Sequence, residues 1–414
     1  MNQITFDNLY KAVAGEAVAL RSLTSMQPAG GMGEKIFPPT YAPVGGDTRH
    51  KYAVEERQIG EENKTSTTVL LDSVASQANR AELALLEGWE RGELTFPVPY
   101  VDFSNDEGAT DYDKLTVLEA PHRIADAIFR DSLLDGTLFR LSEIGQAITN
   151  ATPRNATDLF RYSPTSLLFG QWDSTGPLGG LGSKFQRAYV SEIIGFDVQV
   201  GVKVGSRLDP LQIEKVAPDN RVYSSVDPNE VWTDNPERAK RNKKGELEFA
   251  SRGGASGEPG QPSKINHGNI VPSIDKEAGG VTISHALQTT VISFAALRKL
   301  RCKGFSDSAQ MSMRTAIAAL GIASIAYQHQ MDFDLRSRCL LLPTHSPKLE
   351  ILRRDGSAAE EMYISKDSAA RILEQAANTA SSHGLGWEQG EIRLEPAPKL
   401  LTLIRSSRIE SNTE

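Results

Sequence analysis

Between Ser73 and Trp89 the apolar residues Val74, Ala78, Ala81, Leu85 and Trp89 recur at steps of three and four, the period of one buried helical face. Met311, Thr315, Ala318, Ile322 and Ile325 repeat that spacing and predict a second long helix over residues 307–330. Alternation predicts a first strand over 17–24, a half-exposed strand across FDVQVGVKV (196–204), a strand over 283–297 and a closing strand over 333–342. Apolar runs at 167–169 and 189–194 flank a glycine-rich loop. A shorter amphipathic helix is expected from about 121 to 134, with proline suited to its first turn and Gly136 to its end.

Strand, helix, strands, helix and strand in that order predict an α+β chain of ferredoxin-like, RNA-recognition-motif type. Two stretches break the pattern. Residues 28–46 are rich in Gly and Pro, and 218–280 are rich in Pro, Gly, Asn and Ser and include RGGASGEPGQPSK, so both read as excursions with little core of their own. After 345 a hairpin around Asp355-Gly356, a helix over 366–383 and strands near 392 and 400–404 are expected as an appended subdomain. The expected organisation is a first part of the main domain over 1–217 with a loop insertion near 28–64, a long insertion over 218–280, the remainder of the main domain over 281–345, and an α/β appendage over 346–414.

Composition changes this picture little. The chain has 414 residues, 39% of them hydrophobic, enough for a proper core. Its start carries no basic segment followed by an apolar run, and its longest apolar stretch, 316–327, is too short for a bilayer; a cytoplasmic location and no membrane partner are expected. Cys302 and Cys339 are neither in a CxxC nor grouped with histidines, and Asp111/Asp113 and Asp332/Asp334 are ordinary surface spacings, so neither a metal nor a cofactor is expected.

Charge is more informative. The net charge of −8 is distributed as −9 over residues 1–120, +3 over 121–344 and −2 over 345–414, so positive charge sits in the middle of the chain. There Arg238, Lys240, Arg241, Lys243 and Lys244 form one basic run and Arg298, Lys299, Arg301 and Lys303 another. Gly176, Gly179, Gly180 and Gly182 lead through Ser183 into Lys184 and Arg187, a loop able to bring backbone N–H groups and cations onto a phosphate. His122 and Arg123, at the start of the expected 121–134 helix, would welcome an anion there, or Arg123 would pair with Asp126 or Glu119. Gln77, Asn79 and Arg80 lie on the less apolar sides of the first long helix. Trp172 beside the glycine loop is the ring suited to stacking on a base, although aromatic content is only 7% and no aromatic RNP pattern occurs.

The strings SQANRAE (76–82), PHRIADAIFRDS (121–132), LLFGQWDSTG (167–176), RAYVSEIIG (187–195) and GSRLDP (205–210) together resemble the backbone RAMP subunit of the type I-G CRISPR effector complex (Cascade), formerly called type I-U. The resemblance covers roughly residues 15–345. It implies a modified RNA-recognition-motif fold whose insertion, 218–280, is a thumb, and a subunit that polymerises along guide RNA (crRNA). Gln77, Asn79, Arg80, His122, Arg123, Trp172, Gly179, Gly180, Gly182, Ser183, Lys184, Arg187, Lys203, Ser206, Arg207, Arg238, Lys240, Arg241, Lys243 and Lys244 are then its RNA contacts. The partners implied are the guide, target DNA through the guide, further copies of the chain, a guide-processing RAMP subunit, and a recruited helicase-nuclease.

No GxxxxGK[ST], HExxH or GxSxG occurs, and seven scattered histidines show no ligand spacing, so a non-catalytic chain is expected. The alternative is a metal-dependent ribonuclease on the same fold using the loop residue Asp209, for which a structural clasp with Arg207 is the competing role.

Overall fold

The computed structural model describes residues 2–15, 17–42, 51–60, 64–106, 111–177, 183–213, 222–250 and 265–411. The chain divides into two compact units, one of residues 1–41, 52–199 and 281–405 and the other of residues 42–51, 200–280 and 406–414.

The larger unit is built on a ten-stranded sheet. Its principal strands are β1 (Ala17–Pro28), β2 (Val54–Gln58), β3 (Thr65–Asp72), β4 (Tyr189–Phe196), β5 (His285–Ser293), β6 (Cys339–Pro343), β7 (Lys348–Arg353) and β8 (Glu360–Tyr363). They lie in the order β8-β7-β1-β5-β4-β3-β2, and β6 joins the far end of β1. Every pairing along that path is antiparallel. In β5 alternate residues are buried, among them Ala286, Gln288, Thr290 and Ile292, as a period of two requires.

Helices α1 (Val74–Glu90) and α2 (Asp307–Gln328) pack together, and α3 (Lys366–Ser382) packs on α2. Each begins on a serine whose side chain caps its first turn: Ser73, Ser306 and Ser365. The stripe expected for α2 is exceeded, because Thr315 through Gln328 are buried without interruption. A helix that is apolar all round needs neighbours on every side. A Cβ at Gly321 would fall 2.6 Å from Ile292 Cδ1, so α2 approaches the side chains of β5 with no space for one of its own there.

Polar groups are built into this core. Gln77 of α1 is fully buried, and its Oε1 accepts from Ser191 Oγ, Gln288 Nε2 and Gln328 Nε2 at 2.8–3.2 Å. Its own Nε2 donates to Asp72, which also accepts from Ser76, Arg80 and Arg336. Buried polar groups joined this way fix the register of helix on sheet, since any slip strands several at once.

Four expected elements are corrected, and the apolar run at 167–169 gains its assignment. Residues 121–134 are not one helix: Arg123–Ala125 form a 3-10 turn, Ala127–Arg130 a single helical turn and Ser132–Leu134 a strand, because Arg123 adopts φ +54° and turns its side chain inward. The run at 167–169 belongs to a helix, Pro164–Phe169. The strand expected over 196–204 stops at Phe196, before Asp197 at φ +52°, and pairing resumes later. The closing strand is a hairpin, Phe333–Arg336 with β6, turned at Arg338 with φ +62°. The end of the chain, Pro398–Ser411, is a helix rather than a strand. Residues 346–405 also form no separate appendage, since β7 pairs directly with β1.

The smaller unit holds the strand pair Lys203–Arg207 and Ile270–Asp275, antiparallel with Val204 opposite Ile274. Val204, Val271 and Ile274 on this ribbon are exposed. A second, short pair, Tyr223–Ser224 with Trp232–Thr233, stacks Tyr223 on Phe249 and buries Val222, Ala239 and Ala250. The sparse core matches the few apolar residues of this segment.

One titration follows from the fold. His329, just past α2, bonds Thr24 at 3.1 Å and meets Phe333 edge-on; burial, with some repulsion from His345, holds its pKa down to about 4. Its neutral form stabilises the fold in full above the ordinary value of 6.5, and that contribution is lost as pH falls toward 4. Urea midpoints measured between pH 7 and pH 4.5 should fall more steeply for the wild type than for His329→Gln. Parallel curves would place the acid-sensitive group elsewhere.

Candidate nucleic-acid interface

The Pro164–Phe169 helix ends at Gly170, with φ +85°. A Cβ at Gly170 would lie 2.8 Å from Arg187 Cγ and 3.0 Å from Arg187 N, so glycine serves here both the turn and the close passage of Arg187. The chain then forms a two-residue strand, Gln171–Trp172, paired antiparallel with Lys184–Phe185. Directly opposite partners share a face of the ribbon. Trp172 is therefore beside Lys184, whose ammonium lies 5.4 Å from the ring centre, and Gln171 is beside Phe185, both buried. Trp172 remains 53% exposed.

Behind the ribbon sits a buried ion pair. Arg123 donates from Nε and Nη2 to the two oxygens of Glu82, at 2.6 and 2.9 Å, and from Nη1 to the Gly170 carbonyl at 3.0 Å, with its guanidinium 5.4 Å from the Phe169 ring. Burial pushes the Glu82 carboxyl up to about 7, although Arg123 and Arg187 both pull it down. Arg123 thus ties the 121–126 turn to α1 and to the ribbon.

A cavity of about 290 Å³ opens between these parts, bounded by Pro121, His122 and Arg123 on one side and by residues 169–172, Lys184, Phe185 and Arg187 on the other. Lys184, Arg187 and His122 are exposed at it, and among the described residues neither Lys184 nor Arg187 has a carboxylate partner. A second cavity of about 270 Å³ adjoins at Lys184 and Phe185; it is apolar at Leu167, Leu297 and Leu300, and carries Lys299, which bonds Gln186 at 3.0 Å. Exposed cations outside any ion pair among the described residues, around an exposed indole, form a surface suited to a single-stranded polyanion with flat bases.

His122, Arg123, Trp172, Lys184 and Arg187, picked from the sequence, therefore converge. Ser183 stands behind them, buried, its Oγ bonded by Gln171 Nε2 at 3.3 Å. Gly179, Gly180 and Gly182 lie outside the described residues. Arg123 is corrected in role: its partner is Glu82 rather than a phosphate, Asp126 or Glu119. Gln77 is corrected too, since it is buried and both ends of its amide are bonded within the core. Arg80 is committed to Asp72 and to the Leu335 carbonyl, at 3.0 and 2.6 Å, while Asn79 is exposed on α1.

In the smaller unit Ser206 is exposed, Lys203 pairs with Asp275 at 3.1 Å, and Arg207 donates to the carbonyls of His267 and Gly268. Asp209 accepts from Gly268 N and Leu211 N, which hold its carboxyl below the usual range. Arg207 and Asp209 therefore clasp the same opposing segment rather than each other. Arg238 pairs with Glu230 and Asp227, Arg241 donates to the Gly245 carbonyl, Lys240 is half-buried, and Lys243 and Lys244 are exposed.

Two contributors escaped the sequence reading. Glu82 falls four residues after Ala78 and three before Leu85, on the apolar stripe itself; an acid there signals a buried cation. Gln171 carried no such signal.

Residues 20–200 match the model of a family described as CRISPR-associated protein GSU0053 (Cas_GSU0053). No match was found among curated proteins. The family match supports a CRISPR-associated protein, and the matched stretch contains Glu82, the 121–123 turn and the whole Trp172–Arg187 ribbon. Among the described residues no helix is long and apolar enough to cross a membrane.

Proposed function

We propose that this chain is the RNA-coating backbone subunit of a type I-G CRISPR effector complex, a non-catalytic member of the RAMP group that polymerises along guide RNA. The observation that carries the reading is the cavity at Trp172: Lys184 and Arg187, neither within ion-pair distance of a carboxylate among the described residues, beside an exposed ring and within the stretch that matches a CRISPR-associated family. The sheet agrees with it. Taking β1, β4, β5 and the β6–β7 pair as first to fourth strands, with α1 and α2 as the two helices, the spatial order is fourth, first, third, second, all antiparallel, as in ferredoxin-like and RNA-recognition-motif folds.

In this role the subunit grips phosphates and leaves base edges free for target DNA, while residues 200–280 act as the thumb toward the next copy. The guide-processing RAMP subunit would end the filament, and cutting would fall to a recruited helicase-nuclease. Asp209, whose carboxylate is taken up by backbone N–H groups, has no part in chemistry.

Protein purified without nuclease treatment should carry RNA, with an absorbance ratio at 260 to 280 nm well above that of bare protein. Labelled RNA incubated with it and magnesium should show periodic protection. Cleavage at regular intervals would instead establish the ribonuclease reading, and a bare-protein spectrum with no RNA binding would remove both.

A further inference from the structure

The second basic run of the sequence, Arg298 to Lys303, follows β5 and a single helical turn, Phe294–Leu297. Its first member is spent on the fold: the Arg298 guanidinium donates to the carbonyls of Val13, Gly15 and Ala17 at 3.2, 3.0 and 2.6 Å, at the end of the Phe6–Ala14 helix. Arg314 of α2 donates to the Leu300 carbonyl at 2.8 Å. Arg301 N donates to the Pro153 carbonyl and Ala156 N to the Arg301 carbonyl, both at 2.8 Å, which brings Arg154 alongside the run. Arg154, Lys299, Arg301 and Lys303 are left exposed, and among the described residues none is within ion-pair distance of a carboxylate. The crowding is felt: burial, then repulsion from Arg301 and Arg298, holds Arg314 below the ordinary arginine value, while Asp158 and Asp307 act on Cys302 and Arg314 without forming an ion pair. Like charges packed in this way repel, and an anion relieves the repulsion.

This surface is continuous with the Trp172 site. Lys184 and Phe185 bound both cavities, and the second cavity runs from them past Leu167, Leu297 and Leu300 to Lys299, which is tied to the ribbon by its bond to Gln186. From this continuity we propose that the basic run is the second half of a phosphate track: a single RNA strand gripped at Lys184 crosses the apolar cavity and lays its next phosphates against Lys299, Arg301, Lys303 and Arg154. The inference rests on the RNA-binding reading above and extends its contact surface. It asks for no base edge, because phosphates carry no sequence and an apolar wall accepts the flat face of any base. The track therefore suits a subunit that coats any guide.

Oligouridylate is the probe. Lys299→Ala combined with Lys303→Ala should lower the affinity of the full chain for it by roughly 5- to 20-fold in fluorescence anisotropy. The plot of log affinity against log salt should become shallower by about 1.4, for two phosphate contacts on a single strand. In the wild type, bound oligouridylate should shield Lys184, Lys299 and Lys303 alike from acetylation, read by mass spectrometry. A wild-type salt slope in the double variant, or shielding of Lys184 without Lys299 and Lys303, would overturn the track while leaving the RNA-binding reading intact. No binding of oligouridylate by the wild type would overturn that reading itself. The shielding pattern decides the matter even if the double variant fails to fold, which its circular dichroism would show.

Discussion

Arg123→Met should destabilise the protein by about 3–5 kcal/mol, because removing one partner of a buried ion pair leaves the other charge uncompensated. Arg123 is 7% exposed and Glu82 2%, and the pair is joined by two hydrogen bonds, with a third from Arg123 to Gly170 O. The loss should depend on pH. The Glu82 carboxyl stands at about 7 in the fold against 4.5 ordinarily, so its protonated form stabilises the fold in full below 4.5, and that contribution drains away as pH rises through 7. Without Arg123 one of the two pulls downward is gone, the carboxyl climbs further, and the deficit of the variant widens between pH 5 and pH 8. Glu82→Gln should behave differently: it strands the guanidinium at every pH and lacks the titration. Urea unfolding of the three proteins at pH 5 and pH 8 tests this, and a deficit for Arg123→Met below 1 kcal/mol, or one that does not change with pH, would contradict a buried pair.

The largest functional effect is expected from Lys184→Ala combined with Arg187→Ala. Both cations are exposed and neither is within ion-pair distance of a carboxylate among the described residues, so their removal takes charge chiefly from a ligand, Arg187 acting on buried Glu82 only at longer range. RNA affinity should fall on the order of 10- to 100-fold, from the loss of two charge-assisted contacts. The plot of log affinity against log salt should become shallower by about 1.4, since each phosphate contact on a single strand contributes about 0.7. Lys203→Ala with Arg207→Ala is the control, as these are held by Asp275 and by backbone carbonyls, and its salt slope should change less. A wild-type slope in the Lys184/Arg187 double variant would move the interface elsewhere, with Lys243 and Lys244 next to test.

How far the sequence could be read depended on whether a signal was local. The helices α1 and α2 were legible because their period of three and four belongs to one continuous segment, and β1 and β5 because alternation does too. The 121–134 segment misled for the converse reason: its apolar spacing and its proline suit a helix, yet the inward turn of Arg123 toward Glu82, 41 residues earlier, outweighs local preference. The 333–342 run reads as one strand until Arg338 takes a left-handed turn that no periodicity announces. At the candidate site the cations and Trp172 were visible as residue types beside a glycine loop, and their convergence with the 121–123 turn was not.

By itself the sequence determined the α+β order of elements, the two long core helices, the segment of sparse core at residues 218–280 and the concentration of positive charge in the middle of the chain, all properties of composition and short-range periodicity. Tertiary structure alone decided which charges are free. Arg80, Arg123, Arg207 and Arg238 look the same in sequence as Arg187, and pairing with Asp72, Glu82, carbonyls or Glu230 uses them up. It likewise placed β7 beside β1, because such pairings join segments far apart in the chain, where neither period nor propensity carries information.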